Sequence, residues 1–291
     1  MKTFSSSREL RNVLTKNKRS GKTIAFVPTM GNLHEGHIQL MRQAKKLADV
    51  VVASIFVNPL QFGANEDLAS SPRTLAADQE KLFAEGVDYL LLPDVEEIYP
   101  EGMEKQTLIV VPDLSDTLCG ASRPGHFAGV ATVVTKLFQI VQPDLAIFGK
   151  KDFQQLAIIE KMVKDLCMPI NIIGVETARD VDGLALSSRN GFLTAQQRSI
   201  APALHQTLLE CRDAIACGFD SYQSLEDYCT EALKNAGFEP DYFSVRDAAT
   251  LQSVTCDTEQ IVILAAAKPR LIDNVTLTLN PSQDWGMLAA H

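Results

Sequence analysis

Two hydrophobic patterns alternate along the first 175 or so residues of this chain. Short runs that are apolar at every position, such as Val50-Val51-Val52-Ala53-Ser54-Ile55-Phe56-Val57, read as strands covered on both faces in a parallel sheet. Longer stretches with apolar positions every three or four residues read as amphipathic helices. Strands are expected at 23–27, 50–57, 88–92, 107–111, 144–148 and 170–175, with helices at 37–47, 75–85, 130–141 and 153–167. Strand–helix alternation of this kind predicts βαβ units and an α/β fold with a doubly wound parallel sheet. Such sheets bind ligands beyond the carboxyl ends of their strands. The texture changes at a polar, glycine-bearing stretch near 179–191. Helices are expected at 195–217 and 221–236, then strands at 241–245, 260–265 and 274–279. The expected division is therefore a parallel-sheet domain over 1–178 and a smaller α+β C-terminal domain over 179–291.

Composition narrows the classes. The chain has 291 residues, 46% of them hydrophobic and 22% charged, which is enough apolar material for a substantial core. Its net charge of -9, from 27 basic and 36 acidic residues, makes it a poor candidate for binding nucleic acid or membrane surfaces. Met1 to Glu9 lacks the apolar segment of a signal peptide, and no apolar run reaches the roughly 18 residues that span a bilayer. The six cysteines show neither Cys-x-x-Cys nor zinc spacing, so they are expected as free thiols in a reducing cytoplasm.

Candidate chemistry falls on the loops after strands. Val27-Pro28-Thr29-Met30-Gly31-Asn32-Leu33-His34-Glu35-Gly36-His37 joins a strand to a helix and carries two histidines around Gly36. A helix start offers unpaired N–H groups to an anion, glycine permits close approach, and imidazoles donate to charge growing on phosphate oxygens. His-x-x-His is also seen in metal sites, although no third ligand stands nearby. Asn58-Pro59-Leu60-Gln61-Phe62-Gly63 follows the next strand; it is a turn, or it aims the Asn58 and Gln61 amides at a ligand. The stretch Arg123-Pro124-Gly125-His126-Phe127-Ala128-Gly129 reads as a lid or a surface loop. Gly149-Lys150-Lys151-Asp152-Phe153-Gln154-Gln155 can place a lysine on phosphate, with Asp152 alternatively a helix cap. Leu186-Ser187-Ser188-Arg189-Asn190 supplies hydroxyls and a guanidinium that suit a triphosphate, or a cap for the next helix.

In this order these motifs closely resemble the pantoate–β-alanine ligase family of the His-x-Gly-His nucleotidyltransferase superfamily. The likeness extends through Arg246-Asp247-Ala248 and Arg270-Leu271-Ile272-Asp273-Asn274. It implies a Rossmann-like first domain, a second domain acting as lid and in dimerisation, and ATP-dependent condensation of pantoate with β-alanine through a pantoyl adenylate. By resemblance His34, His37, Lys151 and Arg189 are catalytic, with the proton-donor label on His37. The nucleotide falls to Met30, Gly31, Asn32, Leu33, His34, Glu35, Gly36 and His37, to Gly149, Lys150, Lys151 and Asp152, and to Ala178, Leu186, Ser187, Ser188 and Arg189. Gln61 and Gln155 are implied to bind pantoate, Gln61 also β-alanine, with Asn58, Arg123 and His126 close by. Magnesium rides mainly on the ATP phosphates, with Asp78 as an outer contact, and a cytoplasmic homodimer is implied. Ala77, Ala128, Ala178 and the connection Ala266-Ala267-Lys268-Pro269 depart from the family pattern. The rival readings are another superfamily member that keeps the nucleotide in its product, and a relative that only senses ATP.

Overall fold

The computed structural model describes residues 1–62, 74–268 and 271–279. Gly63, Pro269 and Arg270, named above, lie outside them. The chain runs β1 (Lys2–Phe4), α1 (Ser7–Arg19), β2 (Ile24–Thr29), α2 (Glu35–Leu47), β3 (Val50–Ile55), α3 (Leu75–Ala84), β4 (Tyr89–Leu91), α4 (Val95–Ile98) and α5 (Cys119–Ser122). It continues through α6 (His126–Val141), β5 (Leu145–Gly149), α7 (Phe153–Asp165), β6 (Asn171–Val175), α8 (Ala195–Ile200), α9 (Pro202–Ala216), α10 (Tyr222–Asn235), β7 (Glu239–Asp247), β8 (Gln260–Lys268) and β9 (Leu271–Thr278).

Six strands make a sheet in the order β1-β4-β3-β2-β5-β6, parallel at every pairing. The central strands are the apolar runs of the sequence: every residue of β3 is buried, and in β2 only Pro28 is partly open. The helices cover this sheet, with Leu40, Met41 and Ala44 of α2 packing beside Ala25, Val27, Val51 and Ile147. From β2 the chain winds one way to β3 and β4, then returns to lay β5 on the other side of β2. The carboxyl ends of β2 and β5 therefore open together, at the point where a doubly wound sheet forms its ligand crevice.

Contacts divide the chain into two compact units: Met1–Ala178 with Leu186–Ser188, and Arg179–Ala185 with Arg189–His291. The second unit has an antiparallel sheet β7-β8-β9. Leu204, Leu208 and Ile215 of α9 and Leu225 and Leu233 of α10 form its core with Phe243, Val245, Ile261 and Ile263.

Two expectations need correction, and two elements, β1 and α1, were not foreseen. Residues 107–111 do not form a strand. Leu108 and Val110 are exposed, and the Ile109 N–H donates to Thr132 Oγ1 of α6 at 2.9 Å. The sheet edge at β4 belongs instead to β1, three residues too short to carry a periodic signal. The helix expected over 195–217 is two helices, because Pro202 has no N–H to continue α8 and instead opens α9 at its first turn. Helix α1 has only Leu10 and Leu14 buried, too sparse an apolar stripe to be recognised.

Close packing sets one glycine. Helix α6 meets the turn Pro59–Gln61 at Gly129, where a Cβ would lie 2.6 Å from Leu60 O and 2.8 Å from both Gln61 N and Cα. Those are backbone atoms, so relief requires moving the turn. Gly129→Ala is expected to lower stability by about 1–3 kcal/mol in urea unfolding. A loss below about 0.5 kcal/mol, the scale of an ordinary surface change, would show that the turn yields freely.

Candidate active site

The loop between β2 and α2 is held from α3. Asp78, 1% exposed, accepts the Asn32 and Leu33 N–H groups at 2.8 Å each and the Thr74 hydroxyl at 3.0 Å. One turn later Lys81 donates from Nζ to Leu33 O at 2.6 Å. A carboxylate and an ammonium three residues apart thus grip both polarities of one loop backbone. Asn32 there takes a left-handed φ of 51°, and its side chain donates to Ser188 O at 3.5 Å. Asp78, expected as an outer magnesium contact, has its carboxylate committed to this loop. Among the described residues no group of three or more His, Cys, Asp or Glu could hold a metal ion. The metal alternative for His34 and His37 finds no such group of ligands among those residues. Lys81 was not foreseen; an Asp and a Lys one turn apart on a helix were its signal.

The two histidines close the start of α2 as a reciprocal cap. His34 is the N-cap: its Nδ1 accepts the Gly36 N–H at 3.1 Å, while His37 Nδ1 accepts the His34 N–H at 3.3 Å. This is the geometry of a capping box, with imidazoles replacing the usual hydroxyl and carboxylate. An Nδ1 that accepts a backbone N–H carries no proton, so each neutral ring keeps its proton on Nε2 as an available donor. The rings lie 4.2 Å apart between centroids. Gly36 is required for this arrangement, since a Cβ there would lie 2.8 Å from His34 Cε1. Glu35 points away to an ion pair with Arg42. Burial lowers the His37 pKa to about 3; His34, Lys151 and Lys81 push the same way and Asp152 opposes. Burial, then Lys151 and Lys81, also lower His34, again opposed by Asp152.

Lys151 and Asp152 stand in the short turn Lys150–Asp152 after Gly149, at the end of β5. Their effect on both histidines places the β2 and β5 loops in one electrostatic environment, as the strand order requires. Lys150 is turned outward to Glu176. Ala178 lies beside the helix start, 3.6 Å from a Cβ at Gly36, and accepts the Leu186 N–H at 2.9 Å. Leu186, Ser187 and Ser188 thereby belong with the first unit, whereas Arg189 belongs with the second. Met30 is among the more exposed apolar residues, and Gly31 lies against Ile55 and Asp78.

The amide cluster meets the same loop. Asn58, 1% exposed, gives its Nδ2 protons to Gln61 Oε1 at 3.1 Å and Gly129 O at 3.2 Å. Its Oδ1 accepts from Tyr99 Oη at 2.7 Å and Leu60 N–H at 3.3 Å. All four hydrogen-bonding positions of Asn58 are filled by protein, so it has none left for a ligand. This corrects its expected place in the substrate shell. Gln61 Nε2 donates to Met30 Sδ at 3.2 Å. His126 Nδ1 reaches Gln61 O at 2.8 Å, and Arg123 reaches His126 Nε2 at 2.9 Å. A carbonyl only accepts, so His126 carries its proton on Nδ1 and accepts from Arg123. Gln155 is half-buried in the first turn of α7. Its neighbour Gln154, which the sequence did not single out, donates to Leu114 O and Thr117 O at 2.8 and 2.7 Å and accepts the Cys119 N–H at 3.1 Å.

Neutral Nε2–H donors, nearby lysine charge and an amide at the crevice suit charge growing on phosphate oxygens beside an acidic ligand. Comparison with known proteins agrees in class. The sequence profile described as pantoate-beta-alanine ligase matches residues 2–276. The chain belongs to the pantoate–β-alanine ligase family. It is 58% identical to pantothenate synthetase of Pseudomonas savastanoi pv. phaseolicola over 96% of this chain and 99% of the relative. It is 54% identical to that of Marinobacter nauticus, over 96% and 100%. The Thermus thermophilus enzyme has the same fold, with a TM-score of 0.87 and 42% identity over 96% and 99%. The Francisella tularensis ligase, solved with Beta-gamma ATP and Beta-alanine, has a TM-score of 0.79 and 34% identity over 97% and 100%.

The reciprocal cap has a pH signature in this ligase-family chain. His37 titrates near 3 in the folded state against 6.5 as its ordinary value. As pH falls from 6.5 toward 3, the unfolded chain takes up a proton that the folded chain refuses, so stability declines through that window and is complete above it. Between pH 7.5 and pH 5 the wild type is expected to lose about 1–2 kcal/mol more than His37→Gln, whose amide can still accept the His34 N–H. Urea unfolding at both pH values measures it. Equal losses would show that His37 is not held neutral by folding.

Proposed function

We propose that this chain condenses pantoate with β-alanine at the expense of ATP, forming pantothenate, AMP and pyrophosphate through a pantoyl adenylate. The observation that carries the reading is the pair of neutral imidazoles capping α2, with Lys151 charge beside them and the Asn58–Gln61 amides, from the turn after β3, meeting the β2–α2 loop at Met30. A free carboxylate is a poor acyl donor because oxide is a bad leaving group. In the first step a pantoate carboxylate oxygen bonds to the α-phosphorus and the bond to pyrophosphate breaks. In the second, the β-alanine amine adds to the acyl carbon, AMP departs with the bonding pair, and the amine releases a proton.

The residues divide accordingly. His34 and His37 donate from Nε2 to phosphate oxygens, and with its pKa so low His37 acts as a neutral hydrogen-bond donor and not as an imidazolium acid. Lys151 offsets charge on the leaving pyrophosphate, Ser187, Ser188 and Arg189 hold phosphate oxygens, and Asp152 reaches the ribose. Gln61 and Gln155 bind pantoate, and Gln61 also the β-alanine carboxylate. Asn58 and His126 set the position of Gln61, the latter steadied by Arg123. Magnesium enters as MgATP, the form in which it keeps few protein ligands. We place the protein in the cytoplasm, where six cysteines that form no disulfide are at home, and as a homodimer, which light scattering checks.

AMP release should require pantoate and β-alanine together; a stable nucleotidylated product would instead make it a nucleotidyltransferase. His37→Gln, which preserves the cap, should slow pantoate-dependent pyrophosphate release by about 100-fold, the scale of one lost transition-state donor. An unchanged rate would remove His37 from the chemistry.

A further inference from the structure

Gln61 is an amide at the crevice whose orientation decides what it can bind. Asn58 fills one of the two acceptor positions on its Oε1, and one Nε2 proton goes to Met30 Sδ. The other Nε2 proton has no partner among the described residues, so in this orientation the amide can present a proton to an acceptor such as a carboxylate or hydroxyl oxygen. An amide turned through 180° would present the opposite preference.

That orientation is inherited from Asn58, and Asn58 is oriented by its neighbours. Reversing the Asn58 amide would set its NH2 against the Leu60 N–H and its oxygen against the carbonyl of Gly129, both repulsive. The shortest of its four bonds comes from the Tyr99 hydroxyl, at 2.7 Å. Tyr99 is 2% exposed, with its ring 6.4 Å from that of Phe56 and the Lys136 ammonium 4.8 Å from its centroid. Asn58 is the only hydrogen-bond partner of that hydroxyl among the described residues. The phenol is too deep to touch a ligand, yet two hydrogen bonds away from the Gln61 amide.

We propose that Tyr99 is a positioning residue for the acid-binding site, acting through Asn58 to hold Gln61 as a donor. The proposal rests on the ligase reading given above. Burial holds the phenol pKa up at about 12, so the hydroxyl keeps its proton throughout the neutral range. Removing it frees one lone pair of Asn58 and loosens the two-amide chain, which should weaken recognition of pantoate and leave the nucleotide untouched.

The test is Tyr99→Phe, which keeps the ring and its packing. In steady-state AMP-release assays, kcat/KM for pantoate should fall about fivefold through KM, the scale of one weakened neutral hydrogen bond, with KM for ATP unchanged. In a Gln61→Ala background the same substitution should have no further effect on kcat/KM for pantoate, because its action passes through that amide. A merely structural role would move the pantoate and ATP constants together and would add to Gln61→Ala. Pantoate constants within about twofold of wild type, parallel changes for ATP, or additivity would each overturn the proposal. Asn58→Ala serves as a second arm should Tyr99→Phe not fold, and an unchanged pantoate constant there overturns it equally. Wild-type protein that releases no AMP overturns the ligase reading itself, whereas an active wild type with an insensitive Tyr99→Phe overturns only this step.

Discussion

The backbone at the start of α2 needs acceptors for its first N–H groups, and here two imidazoles supply them. His34 Nδ1 takes the Gly36 N–H and His37 Nδ1 takes the His34 N–H. The same two bonds therefore terminate a helix, choose a tautomer for each ring and leave an Nε2–H on each. Gly36 follows from this, since the His34 ring lies where its side chain would be. So does the neutral state of His37, because a buried ring folded onto the backbone, beside His34 and near Lys151 and Lys81, cannot easily take a second proton. The start of α2 and the tautomers of both imidazoles rest on one pair of hydrogen bonds.

Around that cap buried polar side chains tie neighbouring loops to the sheet domain. Asp78 and Lys81 hold the preceding loop from α3, and Gln154 holds the 114–119 segment from α7. Asn58 is saturated by Tyr99, Leu60, Gln61 and Gly129. Buried amides are costly when half-paired and rigid when fully paired. A saturated Asn58 fixes the orientation of the Gln61 amide beside it. The second unit carries its own core between α9, α10 and the β7-β8-β9 sheet, and a buried bidentate pair, Arg179 to Asp273, at 2.6 and 2.9 Å.

Much of the site was legible in the chain. The apolar runs gave the central strands, and the residues after them carried the histidines, Lys151 and Gln61, because a doubly wound sheet puts its chemistry at strand ends. What escaped has a common cause. Strand β1 and helix α1 bury too few residues to leave a period. Residues 107–111 look like a strand locally, but the edge of β4 is taken by β1. Lys81, Gln154 and Tyr99 act through partners 48, 40 and 41 positions away in the chain, which no local pattern can reveal.

Residue type and spacing settled the fold class and the family, because periodicity and motif order are properties of the linear chain. Which nitrogen of each histidine keeps a proton, that all four hydrogen-bonding positions of Asn58 are spent on the protein, and that Asp78 serves a loop were settled by folding. Each depends on where a hydrogen-bond partner comes to rest across the sheet, and donors and acceptors are counted in space.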